Sequence, residues 1–345
     1  MPRQLAQSLA ADGFPVTVIT QRRGVQRPLE RIDGVPLYSY GALNFAEAGR
    51  LIRSSPARIF HSQNPSLLTY LAQKLRPDSV HVVTCRDPHY RRDWAIEFRY
   101  ATVRRRMLLA FNYLSEASFP VRQAVRSADG VFCTAEFLRE KVRNIFRLRE
   151  LPGILPNLIK VPSSLPRKSE VPTFVFVARW DKRKRPWLFL NLASQFPRYR
   201  FIAIGESSAL GESGYSARLR RRYENVPNLE MPGIVNQFED PGRFSKTLCA
   251  AWALVNTAAR ESLPLTFLEA AAHGCALLSA IDPEQLVSRF GEQVRGDDFE
   301  EGIRVLMAGS PIEKGRAAYE YMKQSRHEHS HALAEHIKMY SHYSE

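Results

Sequence analysis

The chain has 345 residues, enough for two domains with good cores, and its apolar and charged fractions of 44% and 24% are those of an ordinary water-soluble protein. Its 49 Lys and Arg against 35 Asp and Glu leave a surplus of 14 positive charges, which favours an anionic partner: nucleic acid, a phosphorylated small molecule or acidic lipid head groups. No apolar run approaches the roughly 18–20 residues needed to cross a bilayer, and "MPRQLAQSLAADG" lacks the apolar core of a signal peptide, so a cytoplasmic protein is expected.

In chain order, "RQLAQSLAADG" predicts a short amphipathic helix stopping at Gly13, and "PVTVIT" a buried strand. Strands are predicted at residues 57–63, 79–85 and 130–134, with "SLLTYLAQKL" and "EFLREKVRNIF" helical. The Pro-rich stretch from Leu151 to Pro172 interrupts this rhythm and reads as a domain boundary. Beyond it come strand 173–179, helix 186–196, strand 200–205, a basic helix around "SARLRRRYENV" and a short strand at 229–235. Helix "RFSKTLCAA", strand 252–258, helix "LPLTFLEAAAH" and strand 275–280 follow. Apolar strands alternating with helices indicate parallel sheets covered on both faces, hence an α/β protein of two similar domains with a ligand cleft at the carboxyl ends of the strands. Cys85, Cys133, Cys249 and Cys275 are widely spaced, without a CxxC pair, and read as core residues rather than a zinc site or a disulfide framework.

In "RESLPLTFLEAAAHG" two glutamates stand eight residues apart around a Leu-Pro step. Pro264 suits the first turn of a helix that Gly274 is placed to end. The N–H groups of Leu263, Leu265 and Thr266 are then available to an anion. Glu261 lies in the loop facing that anion and Glu269 about 9 Å along the axis, the span of a diphosphate and its attached sugar. Glu269 is thereby suited to hold a ribose through two hydroxyls, with Glu261 facing a transferred group. Spacing alone equally describes two solvated residues flanking a core helix.

The neighbours decide between these readings. "VNTAARESLPLTFLEAAAHGCALLSA" resembles the E-x7-E segment of GT-B fold glycosyltransferases of the family-4 type, with Glu261 and Glu269 at the acidic positions and Gly274 at the glycine position. "FVARWDKRKRPWLFLNLASQFPRYRFIAIGE" is similar to the family's first C-terminal βα unit, and Arg179 and Lys184 match the pair that grips the donor diphosphate. Arg185 stands where the family often has Gly. "NLEMPGIV" resembles the segment lining the nucleobase pocket, which places Gly233, Ile234 and Val235 near the base. "ILPNLIKVP" resembles the interdomain segment, with Asn157 in register and Leu158 in place of Gly.

The resemblance implies a GT-B architecture of two Rossmann-like parallel-sheet domains facing a cleft. Residues 1–155 would form the acceptor-side domain and 156–320 the nucleotide-sugar domain, with 321–345 a C-terminal helix packing back toward the first. The first domain opens directly on a helix, so its first strand is expected to be missing and the natural start to lie upstream. Many members place a His after the strand equivalent to "HVVTC"; here Arg86 stands there, with Asp87 and His89 following and His61 a further cleft candidate.

The implied reaction is retaining transfer from a UDP-, GDP- or ADP-sugar to a glycan or lipid-linked acceptor, with no cofactor and no metal required. "FRYATVRRRMLLAFNYL" joins a basic block to an apolar run, and reads either as a dock on an anionic membrane or as a helix packed in its domain with Arg104 to Arg106 solvated. His327 and His331 are expected one turn apart on a surface helix. Two rival readings are a non-catalytic GT-B homologue that binds sugar nucleotide and a basic nucleic-acid-binding protein. The latter lacks any accompanying zinc-finger, RNP or helix-turn-helix signature, so no specific nucleic acid is expected.

Overall fold

The computed structural model describes residues 2–22, 27–207, 213–236 and 238–344; Met1, at the head of the first expected helix, and the Arg104 side chain lie outside the described residues. The chain forms two compact units, each discontinuous in sequence. One comprises Met1–Pro88, Asn112–Leu158 and His329–Glu345, the other His89–Phe111 and Ile159–Glu328.

In the first unit α1 (Pro2–Ala11) buries Leu5, Ala6 and Leu9, an i, i+1, i+4 face. The strand β1 (Val18–Gln21) pairs in parallel with β3 (Val35–Tyr40), to which β2 (Leu29–Ile32) is hydrogen-bonded as an antiparallel hairpin. The hairpin turns at Asp33 and Gly34, with φ of 52° and 83°, the left-handed pair an Asp-Gly turn favours. After α2 (Phe45–Ser54), capped by the Asn44 side chain, a second sheet begins with β4 (Ile59–Ser62) and, beyond α3 (Leu67–Leu75), β5 (Val80–Cys85). Two helices follow, α4 (Arg91–Tyr100), which belongs to the second unit, and α5 (Val103–Ala117), in which the unit boundary falls. Then come α6 (Phe119–Arg126), β6 (Gly130–Cys133), α7 (Glu136–Phe146) and β7 (Gly153–Ile154). The order β4-β5-β6-β7 is parallel throughout, and among the described residues neither β4 nor β1 pairs with the other sheet.

The second unit is a six-stranded parallel sheet in the order β10-β9-β8-β11-β12-β13. Its elements are β8 (Thr173–Val177), α8 (Pro186–Gln195), β9 (Arg200–Ile204), α9 (Ser213–Tyr223), β10 (Leu229–Gly233), α10 (Pro241–Ala250), β11 (Ala253–Asn256), α11 (Leu265–Ala272), β12 (Ala276–Ser279), α12 (Leu286–Phe290), β13 (Gly291–Gln293), α13 (Phe299–Ala308) and α14 (Pro311–Gln324). Strands buried on both faces explain the near-continuous apolar runs, and Phe174, Phe176, Phe189, Phe201 and Trp180 fill the core between sheet and helices. Sequence order moves outward from β8 through β9 to β10, then resumes on the other side of β8 at β11, so the switch point lies between β8 and β11.

The last helix, α15 (His329–His342), belongs to the first unit. It packs Met339 and Tyr340 against Val82, Leu155 and Ile59, and its Tyr343 hydroxyl donates to Asp129 O at 2.9 Å. His327 precedes this helix and is buried, so it does not share a helical face with His331; Ser325 Oγ accepts its N–H and ends the helical run before it. Cys85, Cys133 and Cys275 are buried, Cys249 is half-buried, and all four are free.

Candidate functional site

The residues after β8 and those after β11 leave the sheet at the same end, on the two sides of the switch point. After β8 the chain makes a tight turn around the fully buried Asp181, whose Oδ1 accepts the Lys184 N–H at 3.0 Å. Arg185 closes the turn in the left-handed region, at φ 51°. It is held there because Thr257 Oγ1 donates to its carbonyl at 2.9 Å while its Nε donates to Thr257 O at 2.6 Å. This clamp does what a glycine would do without strain, and Pro186 then starts α8 at a position where no N–H is needed.

The turn brings Lys184 onto Glu261, 77 residues away, as a direct ion pair with both side chains about seven-eighths buried. Burial pulls the Lys184 ammonium below its ordinary range, and the Glu261 carboxylate opposes that shift. Arg179 is exposed and pairs with Asp181 at 3.4 Å. Past Glu261, α11 starts after Pro264 as its N-cap, so Leu265 and Thr266 stand in a first turn whose N–H groups have no partner within the helix, with Leu263 just before it. The helix ends at Gly274, φ 71°, where Gly274 N–H donates to Ala271 O and Cys275 N–H to Ala270 O.

Glu269 has a different environment. Its carboxyl is half-buried, no hydrogen bond or ion pair to a described residue engages it, and desolvation pushes it up to about 7. Such a group is ready to accept hydrogen bonds that the described residues do not supply. At the far side of the sheet, Gly233 ends β10 in the left-handed region and accepts the Gly205 N–H at 2.8 Å, while Ile234 is exposed and Val235 half-buried. Gly205 is tightly placed: a Cβ there would stand 1.8 Å from Ala178 O.

Sequence reasoning missed the residues that surround this centre. Arg183 and Arg260, each one position before a candidate residue, are buried on Asp93 and Glu97 of α4. The i, i+4 pair of acids in α4 was a legible signal; its partners, 86 or more residues onward, were not.

Arg86, in the first unit, donates to Gln63 Oε1 at 2.8 Å and Asn157 Oδ1 at 2.9 Å, and its N–H is held by Asn64; Asp87 follows it, half-buried. Asn157 and Leu158 are buried in that unit. His61 is half-buried, hydrogen-bonded through Nε2 to Thr84 at 2.7 Å and through Nδ1 to Tyr340 at 2.6 Å, and desolvation drives it down to about 3. His89 lies in the second unit, stacked on Trp94 at 4.5 Å between ring centroids. No group of three or more metal-ligating side chains occurs among the described residues, and none of their helices is long and apolar enough to cross a membrane.

Two parallel-sheet α/β units, the second gathering charge at its switch point, define a protein of the GT-B glycosyltransferase fold, and the chain resembles the family-4 members of that class. Residues 2–161 match the family described as Glycosyltransferase Family 4. Among solved structures, sucrose-phosphate synthase from Thermosynechococcus elongatus superposes with a TM-score of 0.73 at 14% identity, over 99% of this chain and 92% of that one. WaaG, a glycosyltransferase involved in lipopolysaccharide biosynthesis, gives 0.67 at 16%, over 97% and 93%. HepE from Anabaena in complex with UDP and glucose gives 0.65 at 12%, over 90% and 87%. No curated protein matches the sequence.

Proposed function

We propose that this protein transfers a sugar, with retention, from a nucleoside-diphosphate sugar to a glycan or lipid-linked acceptor. The observation that carries the reading is the Lys184–Glu261 pair at the switch point, with the half-buried Glu269 carboxyl, which no described residue engages, eight residues beyond Glu261. Glu269 accepts the ribose hydroxyls, the N–H groups of Leu263, Leu265 and Thr266 face the diphosphate, and the backbone of Gly233, Ile234 and Val235 flanks the base. The bond from C1 to the diphosphate oxygen breaks as the acceptor oxygen bonds C1, and the acceptor proton passes to a phosphate oxygen of the leaving group. Arg179 and Lys184 stabilise the charge that develops on that diphosphate, so the step asks for no metal, and Glu261 fixes Lys184 and faces the sugar. Arg86, Asp87, Asn157 and His89 are assigned to the acceptor side; His61, hydrogen-bonded to Thr84 and Tyr340, would act by holding them. The HepE complex with UDP and glucose supports a nucleotide-sugar donor.

Calorimetric titration of UDP, GDP and ADP into the wild type and Glu269→Ala tests this reading. One nucleotide should bind at micromolar concentration and lose at least tenfold in the variant. A folded protein that binds none of the three would end it, and binding without sugar-nucleotide turnover would favour an inactive homologue.

We also propose that α5 rests on an anionic membrane, where a lipid-linked acceptor would lie. Val103 and Met107 are 78% and 77% exposed, and Leu108, Phe111 and Leu114 continue the exposed apolar face. Arg106 is exposed on α5 next to Met107, so this helix presents apolar groups and positive charge together. Co-sedimentation with vesicles containing phosphatidylglycerol should exceed that with neutral vesicles at least tenfold and fall with Met107→Glu; equal binding to both would reject the idea.

A further inference from the structure

Asp93 and Glu97 stand one turn apart on α4, 8% and 7% exposed, and are among the few carboxylates the fold buries. Glu97 Oε1 lies 3.2 Å from Arg183 Nε and 3.3 Å from Arg260 Nη1, and Asp93 Oδ1 lies 3.3 Å from Arg260 Nε. The two arginines belong to the two loops that carry the Lys184–Glu261 pair, and each immediately precedes a member of it. Those loops are stitched together at the same level: Arg183 Nη1 donates to Arg260 O at 2.9 Å, and Ala259 N–H donates to Arg183 O at 2.9 Å. A third tie comes from the same segment, where Arg105 of α5 lies 3.5 Å from the buried Asp181 that shapes the Lys184 turn.

Two carboxylates against two guanidinium groups leave this layer without net charge. A buried ion-pair layer contributes little net stability compared with apolar packing, and its best-attested use is to fix one arrangement among several. Here the arrangement fixed is the spacing of the loops after β8 and β11. We infer that Asp93 and Glu97 are positioning residues, which act through Arg183 and Arg260 to set Lys184 against Glu261. The donor-phosphate grip of the second unit is thus completed by a helix encoded in the first third of the sequence. This inference rests on the donor-site reading given above.

A double-mutant cycle separates positioning from general support of the fold. Glu97→Gln is compared with wild type, and the same substitution is made in a Lys184→Met/Glu261→Gln background; UDP, GDP and ADP affinity and steady-state transfer are measured for all four proteins. In the wild-type background Glu97→Gln should weaken the bound nucleotide and lower kcat by 10- to 100-fold, with acceptor KM changed less than twofold and Glu97→Asp recovering most of the loss. In the background lacking the pair, the same substitution should change nucleotide affinity by less than twofold, because the groups it positions are gone. Equal losses in the two backgrounds, or a Glu97→Gln protein that behaves as wild type, overturn the inference while leaving the donor site standing. A wild-type protein that binds no nucleotide and transfers nothing brings down the donor-site reading and this inference with it. If Glu97→Gln does not fold, Asp93→Asn carries the same cycle through Arg260, with the same two outcomes.

Discussion

Lys184→Met is expected to lower transfer about 10²- to 10³-fold, the effect of removing one preorganised stabiliser of a developing negative charge. The same change should destabilise the protein by about 3 kcal/mol, because it leaves the Glu261 carboxylate in a mostly buried place without its cation. The two effects separate in the double variant Lys184→Met/Glu261→Gln, which removes both charges. Stability measured by urea denaturation should return to within about 1 kcal/mol of wild type, since replacing both partners of a buried pair is far less costly than replacing one. Activity should not return, because no cation then stands at position 184 to meet the leaving diphosphate. A Lys184→Met protein that transfers sugar within threefold of wild type would remove Lys184 from the mechanism.

Glu269→Gln should make the protein more stable and a worse binder, with both effects tied to pH. Burial raises the carboxyl from 4.5 to about 7, so the folded state holds its proton more tightly than the unfolded chain. That stabilisation is fully present below about pH 4.5 and is lost as the pH rises through about 7. The difference corresponds to roughly 3 kcal/mol, at about 1.4 kcal/mol for each tenfold change in proton affinity. Glutamine stays neutral, so the variant should exceed wild type in stability at pH 8 by up to that order and match it near pH 4.5. Nucleotide binding should run the other way. Ribose hydroxyls donate more strongly to a carboxylate than to a carboxyl, so wild-type affinity should rise between pH 6 and 8 while the variant, about 10- to 100-fold weaker at pH 8, stays flat. Parallel pH profiles for the two proteins would show that Glu269 does not touch the ligand.

The central strands of the second unit were legible because burial on both faces makes each a short apolar run, and β8, β9, β11 and β12 lie within the predicted spans, whereas the edge strand β13, Gly-Glu-Gln, was not read. The hairpin of β2 and β3 was not read, although the Asp33-Gly34 step is a direct turn signal; its strands mix exposed and buried positions and carry no continuous apolar run. The Arg185 clamp illustrates a different limit. A non-glycine residue in the left-handed region is affordable only through Thr257, 72 residues on, and no local pattern announces that partner. Arg179, Lys184, Glu261 and Glu269 were singled out as a motif, whereas Asp93, Glu97, Arg183 and Arg260 were invisible as a set. An ion-pair layer is a property of three segments at once, and sequence shows each only as a charge on a polar stretch.

Because α4 belongs to the second unit, a cut between residues 158 and 159 would not release that unit whole. The fragment from 159 to 328 would lose Asp93 and Glu97 and keep Arg183 and Arg260 where water does not reach well, which is among the costlier defects a folded chain can carry. The same connectivity sets an order on the ribosome. Glu97 emerges 163 residues before Arg260, a wait of roughly ten to thirty seconds at about 5–20 residues per second. Until Arg260 is made Glu97 has only Arg183 and Asp93 has neither arginine, so the ion-pair layer at the switch point is completed only after a helix made long before has been kept available for it.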